Sequence, residues 1–263
     1  MDIKNHSLIK TIRLEGVRPI GNPIIYAKKY YEDGADEIFL NDTVASLYER
    51  NSLADVIKEI AKEVFVPITV AGGIRSTSDV EKLLKSGADK VALNTKVHEK
   101  PDLINEISKN FGSQCMVLQI DAKKMKDGSW EPYIRGGRDR TFKNMIDWAK
   151  EAEDRGSGEI YLTSVDNEGT RKGLDLDLHN NLKKNVNIPV IYSGGVGEVS
   201  DIIEAYNEYR FDGISLSYLL HIKNKTISEI KKELLINNIK LSERKWLESL
   251  IMDLEIYLAY QML

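Results

Sequence analysis

Two aspartates lie where a carboxylate could do acid–base chemistry. Asp121 lies near the end of the apolar segment "CMVLQIDA" (115–122), and Asp2 occupies an equivalent place if residues 1–4 end a strand. A carboxylate there is costly to bury unless it faces an open cavity or is hydrogen-bonded. Facing a cavity, Asp121 could act as a general acid or base; the alternative is a structural cap on the following loop. Two carboxylates at one cavity would suit a reaction that needs one acid and one base.

Two glycine pairs could bind phosphate. Gly72-Gly73 and Gly194-Gly195 each lie between an apolar segment and a helical one. Glycine lets an anion approach the backbone, and a helix N-terminus offers free N–H groups, although tight turns are the alternative explanation. Polar residues at the ends of other strands could add donors: Asn94, Thr95, Thr163 and Ser217. Two such sites predict a ligand that is phosphorylated at both ends.

Charged residues begin three of the same strands. Glu37, Lys90 and Glu159 each precede an apolar segment near the axis of the predicted fold. Charges there are costly unless they are paired. They predict either a ring of salt bridges that closes the floor of the fold or a gated opening into its interior.

Seven apolar segments alternate with helical ones, which predicts a parallel α/β fold. The segments are rich in Val, Ile and Leu without clean alternation, as is typical of strands buried on both faces. They cover 36–42, 66–73, 89–95, 115–122, 158–165, 188–195 and 212–217, and the clearest helical segments cover 51–63, 77–86, 101–109, 142–155 and 198–207. A partial eighth strand at the start, truncated to a few residues, would complete a (β/α)8 barrel. Active sites of such barrels lie at the loops that follow the strands.

The segments repeat once along the chain. "GADEIFLND" (34–42) resembles "GSGEIYLTS" (156–164), and 122 positions separate Glu37 from Glu159. The same interval separates Gly72 from Gly194. Two pairs of motifs with one offset predict two half-barrels of four βα units each.

The composition limits which partners, cofactors and cellular locations are expected. The 263 residues are 42% hydrophobic and 30% charged, with a net charge of -4, which does not favour nucleic acid as a partner. Cys115 is the single cysteine and the four histidines are scattered, so neither a disulfide, a metal nor a cofactor is predicted. No run of 18 apolar residues and no signal-peptide pattern occur, so we expect a cytoplasmic protein without a membrane span.

The chain resembles the cyclase subunit of imidazole glycerol phosphate synthase, a histidine-biosynthesis family, from residue 2 to about 241. The order and spacing of the motifs are specific to that family and not only to barrels. They are "DIKN", "LIKTIRLEGVRPIGNP" (8–23), "DEIFLNDTVAS" (36–46), "PITVAGGIRS", "GADKVALNT", "FGSQCMVLQIDAKK", "GEIYLTSVDNEGT", "PVIYSGGVG" and "LLH" (219–221).

The resemblance implies a reaction, a partner and a set of residues. The ligand would be a formimino-linked aminoimidazole carboxamide ribonucleotide with two phosphates, and ammonia would come through the barrel from a glutaminase subunit in a heterodimer. Asp2 and Asp121 match the catalytic acid and base of the family. Lys10, Gly73, Asn94, Thr95, Gly169, Gly194 and Gly195 match ligand-binding positions, and Glu37, Lys90 and Glu159 match members of a charged gate on the ammonia route.

The chain departs from the family pattern in several places. About ten residues before the first aspartate have no counterpart, Glu168 stands where the family usually has Asp, and Tyr218 follows Ser217 at the second phosphate site. We therefore predict a barrel domain over 1–242 with a truncated first strand, and a C-terminal helical extension over 243–263 whose leucines recur at helical spacing.

Two other hypotheses remain open at this point. The departures resemble a branch of cyclase-like proteins in surface-sugar biosynthesis, in which the barrel would conduct ammonia from a glutaminase to a sugar amidotransferase and lose its own cyclase chemistry. Alternatively, the reading frame is truncated and the barrel is unstable.

Overall fold

Eight parallel strands form the frame of the molecule. The structure, a computed structural model, describes residues 1–4, 6–43, 45 and 53–241. The parallel strands are β1 (Asp2–Lys4), β4 (Ile38–Asp42), β5 (Ile68–Ala71), β6 (Lys90–Leu93), β7 (Met116–Lys124), β10 (Glu159–Ser164), β11 (Val190–Ser193) and β12 (Gly213–Ser215). They pair in the order β12-β11-β10-β7-β6-β5-β4-β1. The predicted α/β barrel fold is confirmed; within the described residues β12 pairs only with β11, and β1 is three residues long.

Two antiparallel hairpins interrupt the parallel order. Hairpin 1 consists of β2 (Ser7–Ile12) and β3 (Glu15–Gly21) and follows β1; hairpin 2 consists of β8 (Trp130–Ile134) and β9 (Asp139–Arg140) and follows β7. The turn of hairpin 1 is made by Arg13 and Leu14, which both have positive φ. Two consecutive residues in that conformation match the twist of the flanking strands.

The strand register confirms the half-barrel repeat. Ile38 of β4 lies opposite Ile68, and Ile160 of β10 lies opposite Val190, so both pairs carry the 122-residue offset. Each half contains four parallel strands, and each places its hairpin after the first of them. Asp2 and Asp121 therefore lie on the first strand of each half.

Helices separate most of the parallel strands along the chain. They are α1 (Pro23–Glu32), α2 (Ala54–Ile60), α3 (Thr77–Lys85), α4 (Thr95–Glu99), α5 (Asp102–Phe111), α6 (Met145–Asp154), α7 (Leu176–Lys183), α8 (Val199–Glu208), α9 (Tyr218–His221) and α10 (Ile227–Ile236). Helix α3 begins with a capping box between Ser76 and Asp79, and α10 with one between Thr226 and Glu229. Such caps satisfy backbone N–H groups that have no partner within the helix.

The apolar side chains form two separate clusters. The larger one lies between the strands and the helices and includes Trp148 and Leu103. The smaller one contains Ala71, Ala92, Val117 and Tyr161, with Phe39 and Ile191 packed against it. The predicted C-terminal extension lies outside the described residues. No described helix is long and apolar enough to cross a membrane.

Candidate active site

One cavity lies where the parallel strands end, at the face expected of a barrel active site. Its volume is about 430 Å³. It brings together eight of the predicted site residues, namely Asp2, Gly72, Gly73, Asn94, Thr95, Asp121, Thr163 and Ser217. Residues that are far apart in the sequence thus share one cavity, because all of them lie in or just after strands of the same sheet.

Asp121 is a buried carboxyl with an amide donor at each oxygen. It is 4% exposed on β7, opposite Thr163 of β10. Asn94 Nδ2 donates to Oδ2 at 3.0 Å, and Gln119 Nε2 approaches Oδ1 at 3.5 Å. Burial raises the pKa of Asp121 to about 6, although the two amides oppose the shift. A carboxyl with this pKa can exchange a proton near neutral pH.

Asp2 occupies the matching position on β1. It lies opposite Asn41 of β4, and Asn41 Nδ2 donates to Asp2 Oδ1 at 3.0 Å. The negative charge of Asp2 contributes to the raised pKa of Asp121. The two carboxylates therefore share one electrostatic environment, as a pair of groups that exchange protons with one ligand requires.

Lys10 does not line the cavity. Its ammonium forms a buried ion pair with Glu168, which does line the cavity. Glu168 Oε2 also accepts the Leu14 N–H at 3.1 Å, and its backbone carbonyl accepts the Arg13 N–H at 3.0 Å. These contacts join hairpin 1 to the loop after β10. The ligand-binding role of Lys10 stays a prediction.

The two glycine pairs differ in their access to the cavity. Gly72 and Gly194 both have φ near +100°, and a Cβ at either would clash with the carbonyl oxygen of Asp42 or Ser164. Only the first pair lines the cavity. The Gly195 carbonyl accepts the Gly173 N–H at 3.0 Å, so the loop after β10 covers the second pair.

Gly169 also lies outside the cavity lining. A Cβ there would lie 2.9 Å from the Cα of Ile12, so this glycine allows hairpin 1 to approach the loop after β10. For Gly169, Gly194 and Gly195 the close backbone contacts support the predicted tight turns, and their ligand-binding roles stay predictions.

Basic side chains lie at the first glycine pair. Arg75 Nε donates to the Gly73 carbonyl at 3.3 Å, and Lys96 and Arg135 line the same cavity. The Arg135 N–H donates to Thr95 Oγ1 at 3.0 Å, which holds the tip of hairpin 2 against the start of α4. Arginine and lysine are the side chains that most often bind phosphate oxygens.

The three predicted floor residues form one cluster. Lys90 Nζ lies 2.8 Å from both Glu37 Oε2 and Glu159 Oε2, and the Thr69 hydroxyl also donates to Glu37. Burial alone would lower the pKa of Lys90, but its hydrogen bonds to the two glutamates raise it overall. Lys90 thus bridges the two glutamates, as the salt-bridge alternative predicted, and the role of the three residues as an ammonia gate stays a prediction.

Several cavity residues had no predicted role, and three of them lie beside the predicted ones. Gln119 lies two positions before Asp121, Asn41 borders Asp2 in the neighbouring strand, and Tyr161 lies two positions before Thr163. Alternate residues of a strand share a face. The spacing from Asp121 and Thr163 was therefore a usable signal for Gln119 and Tyr161, whereas Asn41 required the strand pairing.

Comparison with known proteins shows which family the chain belongs to. Residues 1–226 match the family model described as histidine biosynthesis protein. The imidazole glycerol phosphate synthase subunit HisF of Legionella pneumophila is 53% identical over 201 residues, which cover 76% of this chain and 95% of the relative. The subunit HisF of Lactococcus lactis subsp. lactis (strain IL1403) is 45% identical over 240 residues, 91% of this chain and 93% of the relative. That of Prochlorococcus marinus (strain AS9601) is 43% identical over 237 residues, 89% and 93% of the two chains. The chain belongs to the histidine biosynthesis protein family.

Proposed function

We propose that this chain is the cyclase subunit of an imidazole glycerol phosphate synthase. It uses ammonia to convert the bisphosphorylated formimino-aminoimidazole carboxamide ribonucleotide to imidazole glycerol phosphate and aminoimidazole carboxamide ribonucleotide, a lyase-type reaction. The observation that carries the proposal is the pair Asp2 and Asp121, which the first strands of the two half-barrels present to one cavity. The named relatives support the same reaction.

Asp121 is the base in this proposal. Nitrogen that enters as ammonia must lose protons as it becomes part of the ring, and a carboxylate within the cavity can take one. Amide donors at both oxygens favour the ionised form of Asp121, and its pKa of about 6 leaves that form dominant at neutral pH. Asp2 supplies the second carboxylate, which takes up a proton released in the reaction and passes it to the group that leaves.

The ligand spans the cavity from the first glycine pair. One phosphate binds where Gly72 and Gly73 meet the basic side chains of Arg75 and Arg135. The other end of the ligand extends toward Ser217, near the second glycine pair. The reacting part then lies between the two carboxylates.

Ammonia comes from a glutaminase subunit in a heterodimer. The relatives are named as subunits, which supports a multi-chain enzyme. We place the partner on the floor of the barrel, below the cluster of Glu37, Lys90 and Glu159. Ammonia then passes the cluster and travels along the barrel interior to the cavity.

Ring closure by the purified chain tests the proposal. The chain is mixed with the bisphosphorylated ribonucleotide and an ammonium salt, without glutaminase, and imidazole glycerol phosphate is measured. We expect turnover whose kcat/KM, expressed per free ammonia, falls below about pH 6 as Asp121 becomes protonated. A folded chain that forms no product would overturn the cyclase assignment.

One observation favours a second candidate. The guanidinium of Arg171 lies over the ring of Tyr218, Arg171 Nη1 lies 3.3 Å from its hydroxyl, and Arg171 packs against Gly197, two positions after the second glycine pair. If this end admits no phosphate, the barrel would instead conduct ammonia from a glutaminase to a sugar amidotransferase. That protein would stimulate glutamine hydrolysis in the complex but close no ring in the same assay.

A further inference from the structure

Side chains of two strands divide the barrel interior into levels. On β4, Phe39 lies two positions after Glu37, and on β10, Tyr161 lies two positions after Glu159. Alternate residues of a strand face the same side, so both rings point inward from above the floor glutamates. Both also line the cavity. The two aromatic residues therefore occupy the level between the floor cluster and the carboxylates.

The two rings meet in the middle of this level. Their centroids are 3.9 Å apart and their planes are inclined by 13°. Strands β4 and β10 are the second and sixth parallel strands, so the rings reach across the barrel from opposite walls. At this separation the rings are in van der Waals contact, and no third molecule fits between them.

The surrounding residues hold the stack in place. Ala92 and Val117 pack around it as part of the small interior cluster. The Tyr161 hydroxyl donates to Ser215 Oγ at 2.8 Å, which fixes the ring to β12. Burial raises the pKa of Tyr161 to about 12, so the phenol keeps its proton and the hydrogen bond at neutral pH.

We propose that Phe39 and Tyr161 form an aromatic partition across the barrel, which ammonia crosses only when the two rings separate. The inference rests on the proposed function, because it concerns the route by which ammonia reaches the cavity. An apolar contact of this kind passes neutral ammonia more readily than ammonium, since a bare cation is far more costly to bury. The partition therefore favours the passage of neutral ammonia, which is the nucleophilic form. It also separates the floor cluster from the carboxylates.

Two sources of ammonia distinguish transit from chemistry. In the complex of the full chain with its glutaminase subunit, ammonia from glutamine must cross the partition. Ammonia from a bulk ammonium salt, supplied to the chain alone, reaches the carboxylates through the open cavity without crossing it. The ratio of the glutamine-driven to the ammonium-driven turnover therefore reports the transit of ammonia. When both turnovers are measured on one preparation, a loss of folded protein lowers them equally and leaves the ratio unchanged.

Filling the level of the partition should block transit. We expect Phe39→Trp to lower the ratio about tenfold, one decade in rate for each 1.36 kcal/mol added to a barrier. Ala92→Leu adds bulk at the same level from β6 and should lower the ratio in the same direction. Adding Phe39→Ala to Ala92→Leu should restore it, because the second ring is then free to move. Phe211→Trp makes the same exchange beside His179, outside the barrel interior, and should leave the ratio unchanged.

The outcomes separate the partition from the proposed function. A wild-type chain that closes no ring with ammonium overturns the proposed function, and the partition with it. A wild-type chain that closes the ring, with an unchanged ratio in Phe39→Trp and Ala92→Leu, overturns the partition alone. Equal losses in both turnovers, or no restoration by Phe39→Ala, would also overturn it, because they indicate a role in the fold or in the chemistry.

Discussion

Hairpins 1 and 2 occupy equivalent places in the two halves of the barrel but are held in different ways. Each follows the strand that carries a cavity aspartate, and each pairs with that strand: Asp2 lies opposite Ile9, and Asp121 lies opposite Tyr133. Hairpin 1 is joined to the other half of the molecule by Lys10 and Glu168. Hairpin 2 has its ion pair within itself, between Arg140 and Glu131, and reaches the other half through uncharged hydrogen bonds of Arg135 N–H to Thr95 and of Asn94 to the Tyr133 carbonyl.

One position in the repeat accounts for much of this difference. The residue that follows Ile9 is Lys10, and the residue that follows Tyr133 is Ile134. A buried lysine needs a partner of opposite charge, whereas isoleucine does not. The backbone frame is thus shared by the two halves, and Lys10 gives hairpin 1 a buried ion pair to the other half that hairpin 2 lacks. The link brings hairpin 1 over the cavity next to Glu168.

The two aspartates that precede the hairpins test most directly whether the two halves of the barrel contribute equally to catalysis. Asp121→Asn removes the proposed base while keeping the shape of the side chain. We expect ammonium-driven turnover to fall about 10²–10⁴-fold, the range for loss of a positioned acid or base. Asp2→Asn should cause a loss of the same order if both halves contribute one catalytic carboxyl. Steady-state kinetics of both variants gives the comparison.

A matched exchange on the surface controls for the loss of charge. Asp177→Asn alters an exposed carboxylate in the first turn of α7, far from the cavity lining, and should leave turnover near that of the wild type. If Asp2→Asn behaved like Asp177→Asn, only the second half of the barrel would carry catalytic chemistry.

The two ion pairs should differ in their contribution to stability. Lys10→Met leaves the Glu168 carboxylate buried without its cation, and breaking a buried pair in this way costs about 3–5 kcal/mol. Arg140→Met also leaves a buried carboxylate, since the Glu131 side chain is 6% exposed, but Arg140 itself is 44% exposed, so water can reach the space that it vacates, and Glu131 keeps the N–H of Phe142 at 2.7 Å. We therefore expect a smaller loss than for Lys10→Met. Urea unfolding of the two variants measures both changes.

A second substitution shows whether the buried charge is the cause. Glu168→Gln in the Lys10→Met background removes the unpaired carboxylate and should recover much of the lost free energy of unfolding. A double variant no more stable than Lys10→Met would instead indicate that the packing of the lysine stem holds hairpin 1.

The sequence allowed the strands, the repeat and eight cavity residues to be predicted, because all three follow from local patterns. Apolar segments mark strands, and the residues that end them meet at one edge of a parallel sheet. Hairpin 1 escaped prediction because its turn uses Arg13 and Leu14 at positive φ, where glycine or asparagine is the usual signal.

Contacts between distant residues were harder to predict. Lys10 and Glu168 are 158 positions apart, and the composition of neither segment indicates the pairing. Phe39 and Tyr161 lie in segments that are buried on both faces, so periodicity does not tell which side of the strand enters the barrel. Once Glu37 and Glu159 are placed at the floor, the inward face follows.

A smaller difference between the halves concerns two buried histidines. His98 of α4 and His221 of α9 are 123 positions apart, the same interval as Asn94 and Ser217. Burial lowers the pKa of each to about 3. Neither ring nitrogen of His98 has a hydrogen-bond partner in the described part of the chain, whereas Nδ1 of His221 lies 2.5 Å from the hydroxyl of Tyr30.

Acid should destabilise the fold through both residues. Because the folded-state pKa is lowered, the fold accommodates the neutral form of each histidine. The contribution of that neutral form to the free energy of unfolding is therefore fully present above the unfolded pKa of about 6.5. It is lost progressively as the pH falls from there toward 3. Replacing either histidine with leucine removes its part of this dependence, and unfolding measured at pH 7 and pH 5 reports it.

The two leucine variants should nevertheless differ at neutral pH. His221→Leu leaves the buried hydroxyl of Tyr30 without a partner and should cost about 1–3 kcal/mol at pH 7. His98→Leu removes nitrogens that have no partner, so it should change little at pH 7 and exceed the wild type by about 1–2 kcal/mol at pH 5. Equal losses of stability at pH 7 would show that His98 is hydrogen-bonded as firmly as His221. The two halves would then not differ in the hydrogen bonding of this histidine.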